Sequence, residues 1–169
     1  QYATLPSFCR VALTLAPSSD SDIKVEVWLP ASGWNGKFQA VGNGGMAGSI
    51  PYAAMATALA AGYAASGTDT GHVGNTADFI PGHPEKLVDF GHRAVHEMTV
   101  AAKGIIAAFY GKGTSRSLFV SCSTGGRQGL MEAYRYPRDY DGISSMAPAN
   151  PMTELMVGSL WTGHVAMKD

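Results

Sequence analysis

The sequence predicts an α/β fold in which a mostly parallel sheet carries helices on both faces. Two observations indicate it: strand-like segments alternate along the chain with segments of helical periodicity, and Gly or Pro residues separate them. Consecutive strands joined through helices pair in parallel, and such sheets are covered on both sides. Since 46% of the 169 residues are hydrophobic and no repeat or linker interrupts them, we expect a single domain, residues 1–169.

The first half of the chain is predicted to contain three strands and one helix. Residues 22–29 alternate polar with apolar side chains, which is typical of a half-exposed strand, and Pro30 ends it. A turn leads to a second strand, Lys37–Val41. An Ala-rich helix that begins with a proline follows at residues 51–62, and residues 63–67 form a short buried strand.

The second half is predicted to contain two helices and two strands. Apolar residues at helical spacing predict a long helix over residues 85–110, which Gly111 ends. A strand at residues 118–121 then leads through a serine-centred turn into a helix at residues 125–136. The last predicted strand is Gly142–Met146.

The composition excludes two classes of partner. Twelve Lys and Arg oppose thirteen Asp and Glu without a basic cluster, so we expect no nucleic-acid binding. The apolar stretches fall short of the roughly 20 residues that span a bilayer, so we expect no membrane segment. Cys9 and Cys122 could pair with each other, remain free or bond to cysteines elsewhere. The first residues lack a signal-peptide pattern, so any leader was removed or never included.

One stretch, SCSTGGRQG at residues 121–129, carries a candidate nucleophile. It lies between a predicted strand and a predicted helix, where α/β-hydrolases place the G-x-S-x-G turn that exposes a serine oxygen. Ser121 replaces the first Gly of that pattern with another small residue. Ser123 is the better candidate, because Gly125 follows two residues later and a helix begins behind it. The alternative is a tight strand-to-helix turn without chemistry.

A second glycine segment would complete such a site. The helix behind Ser123 would direct its dipole and the N–H of Thr124 at a developing oxyanion. The loop GNGG at residues 42–45 directly follows a predicted strand, and glycine lets the backbone approach a substrate carbonyl closely. We therefore expect the second oxyanion donor from this loop. Arg127 and Gln128 are expected to pair with neighbouring loops rather than to act in catalysis.

The same loop also admits a different interpretation. Gly42, Gly44 and Ala47 after a strand, with Asp69 closing the next strand, imitate a dinucleotide-binding fingerprint. That fingerprint needs a helix that begins at the second glycine, and Pro51 would then remove a hydrogen bond inside it. A longer loop with Pro51 at the helix start has no such conflict, so we favour it.

Two pairs of polar residues give weaker signals. His92 and His96 are four residues apart on the long helix, but no third metal ligand is in view, so surface or packing roles are expected. Asp69 and His72 end a strand at the edge where ligands bind in parallel sheets. Local hydrogen bonds within the loop explain Asp69 and His72 equally well.

These residues resemble the tannase and feruloyl esterase family of α/β-hydrolases over nearly the whole chain. The matching segments, in family order, are LPSFCRV at 5–11, VEVWLP at 25–30, WNGKF at 34–38, GNGG at 42–45, TDTGH at 68–72, CSTGGRQG at 122–129, YDGI at 140–143 and APA at 147–149. The resemblance implies a secreted or periplasmic serine esterase that cleaves feruloyl, galloyl or related aromatic acyl esters. It also implies an α/β-hydrolase sheet that is incomplete here, without the lid domain and the C-terminal part.

The same resemblance assigns roles to individual residues. Ser123 is implied as the nucleophile, and the backbone N–H groups of Thr124 and of Gly44 or Gly45 as the oxyanion hole. Cys122 is implied to form a disulfide beside the active site, with the cysteine that precedes the catalytic histidine. No cofactor is expected for these residues, because the calcium site of many relatives belongs to the lid.

By the resemblance, the catalytic Asp and His lie beyond the lid and outside these residues. Four side chains downstream of the nucleophile could act as base or acid, but none stands in a segment that resembles the family's catalytic Asp or His motifs: His164, Asp139, Asp141 and Asp169. Cys9 likewise lacks its usual upstream partner. We expect a missing C-terminal part or a second chain to supply the lid, Asp and His, and these residues alone to have little activity. The competing hypothesis is a catalytically silent α/β-hydrolase-like binding module.

Overall fold

The computed structural model describes residues 5–46 and 48–168, which form a six-stranded sheet and five α-helices. The strands are Phe8–Leu15 (β1), Ile23–Pro30 (β2), Lys37–Val41 (β3), Ala64–Thr68 (β4), Arg116–Cys122 (β5) and Gly142–Met146 (β6). The helices are Tyr52–Ala60 (α1), Pro84–Val88 (α2), Ala94–Tyr110 (α3), Thr124–Arg135 (α4) and Met152–Ala166 (α5). No helix of the described ranges is long and apolar enough to cross a membrane.

The sheet is antiparallel on one side and parallel on the other. Its strand order is β1-β2-β4-β3-β5-β6. The pairs β1–β2 and β2–β4 are antiparallel, whereas β3–β4, β3–β5 and β5–β6 are parallel. Helices lie in the connections between the parallel strands, as such crossovers require. The mostly parallel α/β sheet predicted from the sequence is therefore confirmed, with an antiparallel extension at β1 and β2.

Helices cover both faces of the sheet, because side chains alternate along each strand and bury apolar groups on either side. On one face α3 and α4 enclose the larger core, which includes Val27, Phe38, Met98 and Phe119. On the other face α1 packs over β2, β3 and β4 around Trp28. The carboxyl ends of the parallel strands meet at one edge of this layered structure, and the turn after β5 lies there.

β2 differs from the half-exposed strand that its alternating sequence predicts. Glu26 is 2% exposed, because β1 and β4 flank the strand and helices cover it. Trp28 Nε1 and Tyr52 Oη each donate to the Glu26 carboxylate at 2.8 Å, and Arg10 Nε donates at 2.7 Å. Burial raises the pKa of Glu26, but these hydrogen bonds outweigh it and leave the pKa below its ordinary value.

Three further elements differ from the predictions. β1 is an additional edge strand in which Cys9, Val11 and Leu13 pack against the core while the intervening residues are exposed. α5 is an additional helix and has no buried residue. The long predicted helix is divided by a π-helical turn at Asp89–Arg93. The other predicted elements agree with the structure to within a few residues at their ends.

Candidate active site

Ser123 occupies the sharp turn between β5 and α4. Its backbone adopts φ 60° and ψ −120°, a left-handed conformation that costs a non-glycine residue roughly 1–3 kcal/mol. Its N–H donates to Met146 O at 3.1 Å, and its carbonyl accepts from Arg127 N and Ala149 N at 3.0 Å each. These bonds fix the turn and leave the Ser123 side chain exposed at the carboxyl edge of the sheet.

Small residues surround the turn because several backbone segments meet there. A Cβ atom at Gly125 would overlap the Ser121 hydroxyl and lie 2.5 Å from Ser121 Cβ. A Cβ atom at Gly42 would lie 2.8 Å from Gly125 Cα, and one at Gly126 would lie 2.9 Å from Pro148 Cα. Real side-chain carbons do not approach other atoms so closely. The glycines at these three positions therefore allow the loop after β3, the start of α4 and the segment after β6 to come into direct contact.

The start of α4 is bonded to the loop that follows β3. Gly125 N donates to Asn43 O at 2.8 Å, and Thr124 Oγ1 donates to Gly45 O at 2.7 Å. The first N–H groups of a helix have no acceptor within the helix and carry the positive end of its dipole. Thr124 holds the first helical position, so its N–H is available to an anion that forms next to Ser123.

A buried pair of amide side chains holds the same loop in place. Asn43 N donates to Gln128 Oε1 at 3.0 Å, and Gln128 Nε2 donates to Asn43 Oδ1 at 3.1 Å. Asn43 Nδ2 donates in turn to the carbonyls of Ser49 and Thr68, at 2.9 and 2.8 Å. Arg127 donates to carbonyls of the π-helical turn. The predicted pairing with a neighbouring loop is thus confirmed for Gln128, which positions the candidate oxyanion loop, whereas Arg127 pairs with a helical turn.

Ser123 faces a cavity of about 220 Å³. Its polar side consists of Ser123, Thr124 and Gly45, and its other side comes mainly from α5 and the segment before it, through Ala149, Met152, Leu155 and Met156. A few polar groups opposite an apolar wall are typical of sites that bind small organic molecules. The arrangement could hold an apolar acyl group with its carbonyl beside the serine.

A second groove, of about 430 Å³, lies next to the first on the α1 side of the sheet. Gly44 and Cys122 line it, whereas Gly45 lines the cavity of Ser123. Cys122 is exposed and Cys9 is half-buried, and both are free thiols. The two cysteines therefore do not pair with each other, and the Cys122 thiol is open to a cysteine from elsewhere.

The Ser123 hydroxyl has no hydrogen-bond partner among residues 5–46 and 48–168. None of the groups considered as its base or acid is hydrogen-bonded to it: Asp139 Oδ2 bonds to His96 at 2.7 Å, Asp141 Oδ2 accepts from a strand N–H at 2.7 Å, and His164 lies on exposed α5. Asp169 lies outside the described residues. The described residues therefore show no proton acceptor in contact with the Ser123 hydroxyl.

Asp69 and His72 are both satisfied by hydrogen bonds, which is one of the two explanations that the sequence left open, but most of these bonds reach other segments rather than their own loop. Asp69 Oδ1 accepts from the N–H groups of Lys24 and Gly71, at 2.9 Å each. Burial raises the pKa of Asp69, although these bonds counteract it. His72 is buried, and its Nε2 donates to Met46 O at 2.6 Å. His72 thereby supports Met46, which lines the cavity of Ser123.

The dinucleotide interpretation is wrong in its central requirement. The helix after β3 begins at Tyr52, directly behind Pro51, and not at Gly44. The chain instead forms a longer loop that reaches α4, as the position of Pro51 predicts. Ala47, the third residue of that fingerprint, lies outside the described residues.

The two histidines of the long helix take packing roles. His92 Nδ1 bonds to Tyr136 Oη at 2.8 Å, and His96 bonds to Asp139. Within the described ranges, no three His, Cys, Asp or Glu side chains come together in a way that could hold a metal ion.

Comparison with known proteins identifies the family. A model of the family described as tannase and feruloyl esterase matches residues 9–169. The chain belongs to the tannase and feruloyl esterase family. The six-stranded sheet and its helices reproduce part of an α/β-hydrolase fold.

Relatives of this tannase-family chain are much longer than the chain itself. A probable feruloyl esterase B-1 of Aspergillus flavus is 41% identical over 156 residues, which are 92% of this chain but 29% of the relative. The crystal structure of an esterase from Aspergillus oryzae superimposes with a TM-score of 0.86 at 41% identity, covering 93% of this chain and 30% of that one. Tannin acyl hydrolase from Aspergillus niger gives a TM-score of 0.73 at 27% identity, covering 84% of this chain and 28% of that one. The chain therefore spans less than a third of the length of these three relatives.

Proposed function

We propose that this chain carries the nucleophile of a serine carboxylic-ester hydrolase that cleaves feruloyl, galloyl or related aromatic acyl esters. The observation that carries the proposal is Ser123, strained and exposed at the start of α4, facing an apolar cavity. Activation of a serine at such a turn is the usual route to acyl transfer in α/β-hydrolases. Relatives named as feruloyl esterases and a tannin acyl hydrolase support the aromatic acyl class.

The reaction proceeds through an acyl-enzyme on Ser123. A general base takes the proton of the Ser123 hydroxyl as Oγ attacks the ester carbonyl carbon, and the carbonyl oxygen becomes an anion. The N–H of Thr124 and an N–H of the Gly44–Gly45 pair stabilise this oxyanion. The C–O bond to the alcohol then breaks, and the base returns its proton to the leaving alcohol. Water, deprotonated by the same base, releases the aromatic acid and restores Ser123.

The base and its acid partner are proposed to come from a C-terminal part or a second chain, together with a lid. Two exposed apolar surfaces of the chain support this, because a contiguous exposed apolar surface often marks a place where another protein segment packs. On α5, Val157, Leu160 and Trp161 are between 61% and 74% exposed. The second surface lies on β5 and β6, on the same side of the sheet as α1, and includes Val120 and Met146. Met146 is exposed there because α1 covers only β2, β3 and β4.

The proposed partner also accounts for the free thiol. Cys122 precedes the nucleophile and is exposed, so a disulfide from Cys122 to the segment that carries the histidine would fix that segment beside Ser123. A disulfide of this kind forms in oxidising compartments, so secretion or a periplasmic location belongs to the same proposal.

The proposal is tested by the substitution Ser123→Ala in the complete protein, with methyl ferulate and methyl gallate as substrates. Turnover should fall by at least about a thousandfold, because only the oxyanion hole and substrate binding remain. Brief mixing of the wild type with substrate should add one acyl group to its intact mass, and the variant should gain none. Ser121→Ala is the matched control and should keep turnover within severalfold. Undiminished turnover in Ser123→Ala would reject the proposal.

A second candidate, a catalytically silent binding module, is favoured by the lack of a base next to Ser123 in the described part of the chain. Intact mass with and without reductant separates the two hypotheses. A partner polypeptide released by reductant supports a processed esterase, with the base on that partner. A complete protein that binds methyl ferulate, forms no acyl adduct and releases no partner supports the silent module.

A further inference from the structure

The far half of α4 contains a buried carboxyl group that the proposed reaction does not use. Glu132 is 0% exposed and lies two turns after Ser123 on the same helix. Neither Glu132 Oε1 nor Oε2 has a hydrogen-bond partner among the described residues. A buried carboxylate without a hydrogen-bond donor is strongly disfavoured. The protonated form of Glu132 therefore explains the site better than the ionised form does.

The ionisable side chain that acts on Glu132 is another acceptor, the carboxylate of Asp139, on the loop between α4 and β6, and its interaction with Glu132 contributes to the raised pKa of Glu132. Asp139 Oδ2 already bonds to His96 Nδ1 at 2.7 Å, and its backbone carbonyl accepts from Lys103. Two carboxyl groups that face each other form a hydrogen bond only when one of them keeps its proton. Glu132 is fully buried and has no other partner, whereas Asp139 already accepts from His96, so we place the proton on Glu132.

Among residues 5–46 and 48–168, no cationic side chain is hydrogen-bonded to the Glu132 carboxyl group. The ionisable groups around Glu132 are Arg135 and Tyr136 on α4, His92 on the π-helical turn, His96, Glu97 and Lys103 on α3, and Arg138, Asp139 and Tyr140 on the loop. Arg135 Nε is directed at Met131 Sδ, and Lys103 at the Asp139 carbonyl. β6 carries no ionisable residue, and on β5 such residues occur only at the two ends.

We propose that Glu132 is a positioning residue that fastens α4 through a proton shared with Asp139, and that rising pH releases this attachment. The bond is Glu132 O–H···O Asp139, and it joins α4 to α3 through the Asp139–His96 contact. The proton leaves to solvent when the pH rises, and two carboxylates then face each other in a buried place. Because α4 begins at Ser123, this bond holds the nucleophile's helix from its far end.

The direction of the pH effect follows from the pKa. Burial, and secondarily Asp139, raise the pKa of Glu132 from 4.5 to about 8. The folded protein therefore holds a proton that the unfolded chain has lost between these values, so folding weakens as pH rises through this range. The stabilising effect is complete below pH 4.5 and is lost above about pH 8.

The test is the pH dependence of unfolding of the complete protein, measured by denaturant titration in wild type and Glu132→Gln. The glutamine of this variant cannot ionise and can still donate to Asp139. Because the folded wild type holds one more proton than the unfolded chain, its unfolding equilibrium constant should rise by up to tenfold per pH unit between pH 4.5 and about 8. The Glu132→Gln variant should lack this tenfold rise. Glu97→Gln is the matched control, because it removes a half-buried carboxylate from the same cluster. The control should keep the wild-type slope.

Equal slopes in wild type and Glu132→Gln would overturn the proposal. Glu132→Met serves if Glu132→Gln fails to fold, because methionine has a similar shape and holds no proton. It should give the same flattened slope and should be at least as stable as wild type above pH 8. A Glu132→Met protein with the wild-type slope would likewise overturn the proposal.

Discussion

The two ends of α4 are held by different physical means. At the first end Ser123, Gly125 and Gln128 are fixed by backbone contact and by uncharged hydrogen bonds to the loop after β3. At the far end Glu132 is buried beside Asp139 and depends on a proton. The first end is therefore sensitive to the volume and shape of side chains, and the second to pH. Substitution and titration can probe the two ends separately.

The largest effect is expected from Gly125→Ala. The added methyl would overlap Ser121, whose Cβ would lie 2.5 Å away, so β5 and α4 must separate. We expect a loss of about 3 kcal/mol in the free energy of unfolding, at the upper end for an overpacked core, together with loss of esterase activity. The control is Gly104→Ala on α3, where nothing lies within 4 Å, and it should stabilise by about 0.5–1 kcal/mol. Thermal unfolding of both variants checks this, and similar Tm values would contradict it.

An intermediate effect is expected from Gln128→Met. Methionine fills a similar volume but leaves the Asn43 N–H and Oδ1 without partners in a buried place. The cost should be about 2 kcal/mol, as for other buried polar groups that lose a partner. Gln39→Met, at a half-buried site, is the control and should change stability by less than about 0.5 kcal/mol. Denaturant unfolding at pH 5 measures both while Glu132 keeps its proton, and an equal cost would contradict the importance of the amide pair.

The smallest effect is expected at an exposed position of the far end. Tyr134 is 81% exposed, so Tyr134→Ala should alter the free energy of unfolding by less than about 0.5 kcal/mol. It should also leave the pH slope of unfolding unchanged, because Tyr134 does not belong to the cluster around Glu132. A changed slope in this variant would show that the pH sensitivity is spread over the whole end of the helix.

The sequence predicts most of what depends on short-range pattern. The alternation of strands with helices, the turn at Ser123 and the helix start after Pro51 follow from local residue types, and the structure has them in place. The resemblance to tannases and feruloyl esterases, carried by short motifs, is also confirmed by the family match. The catalytic roles of Ser123, Thr124 and the Gly44–Gly45 pair stay predictions.

Features that depend on distant contacts were not predictable from pattern. Glu26 occupies a polar position in an alternating strand, and neither its burial between β1 and β4 nor its bonds to Arg10, Trp28 and Tyr52 can be read from that pattern. Gln128 and Asn43 are 85 residues apart in the sequence, and nothing in either segment indicates their pairing. Glu132 looks like an ordinary helix-forming residue, and only the packing of α4 shows that it is buried.

The backbone of Ser123 also bears on efforts to engineer this protein. At φ 60° a glycine would avoid the backbone strain energy of roughly 1–3 kcal/mol that a residue with a side chain carries. A library selected for thermal tolerance alone would therefore gain stability by replacing the one side chain proposed to perform the chemistry. Any such campaign should hold position 123 fixed or select for turnover and heat resistance together.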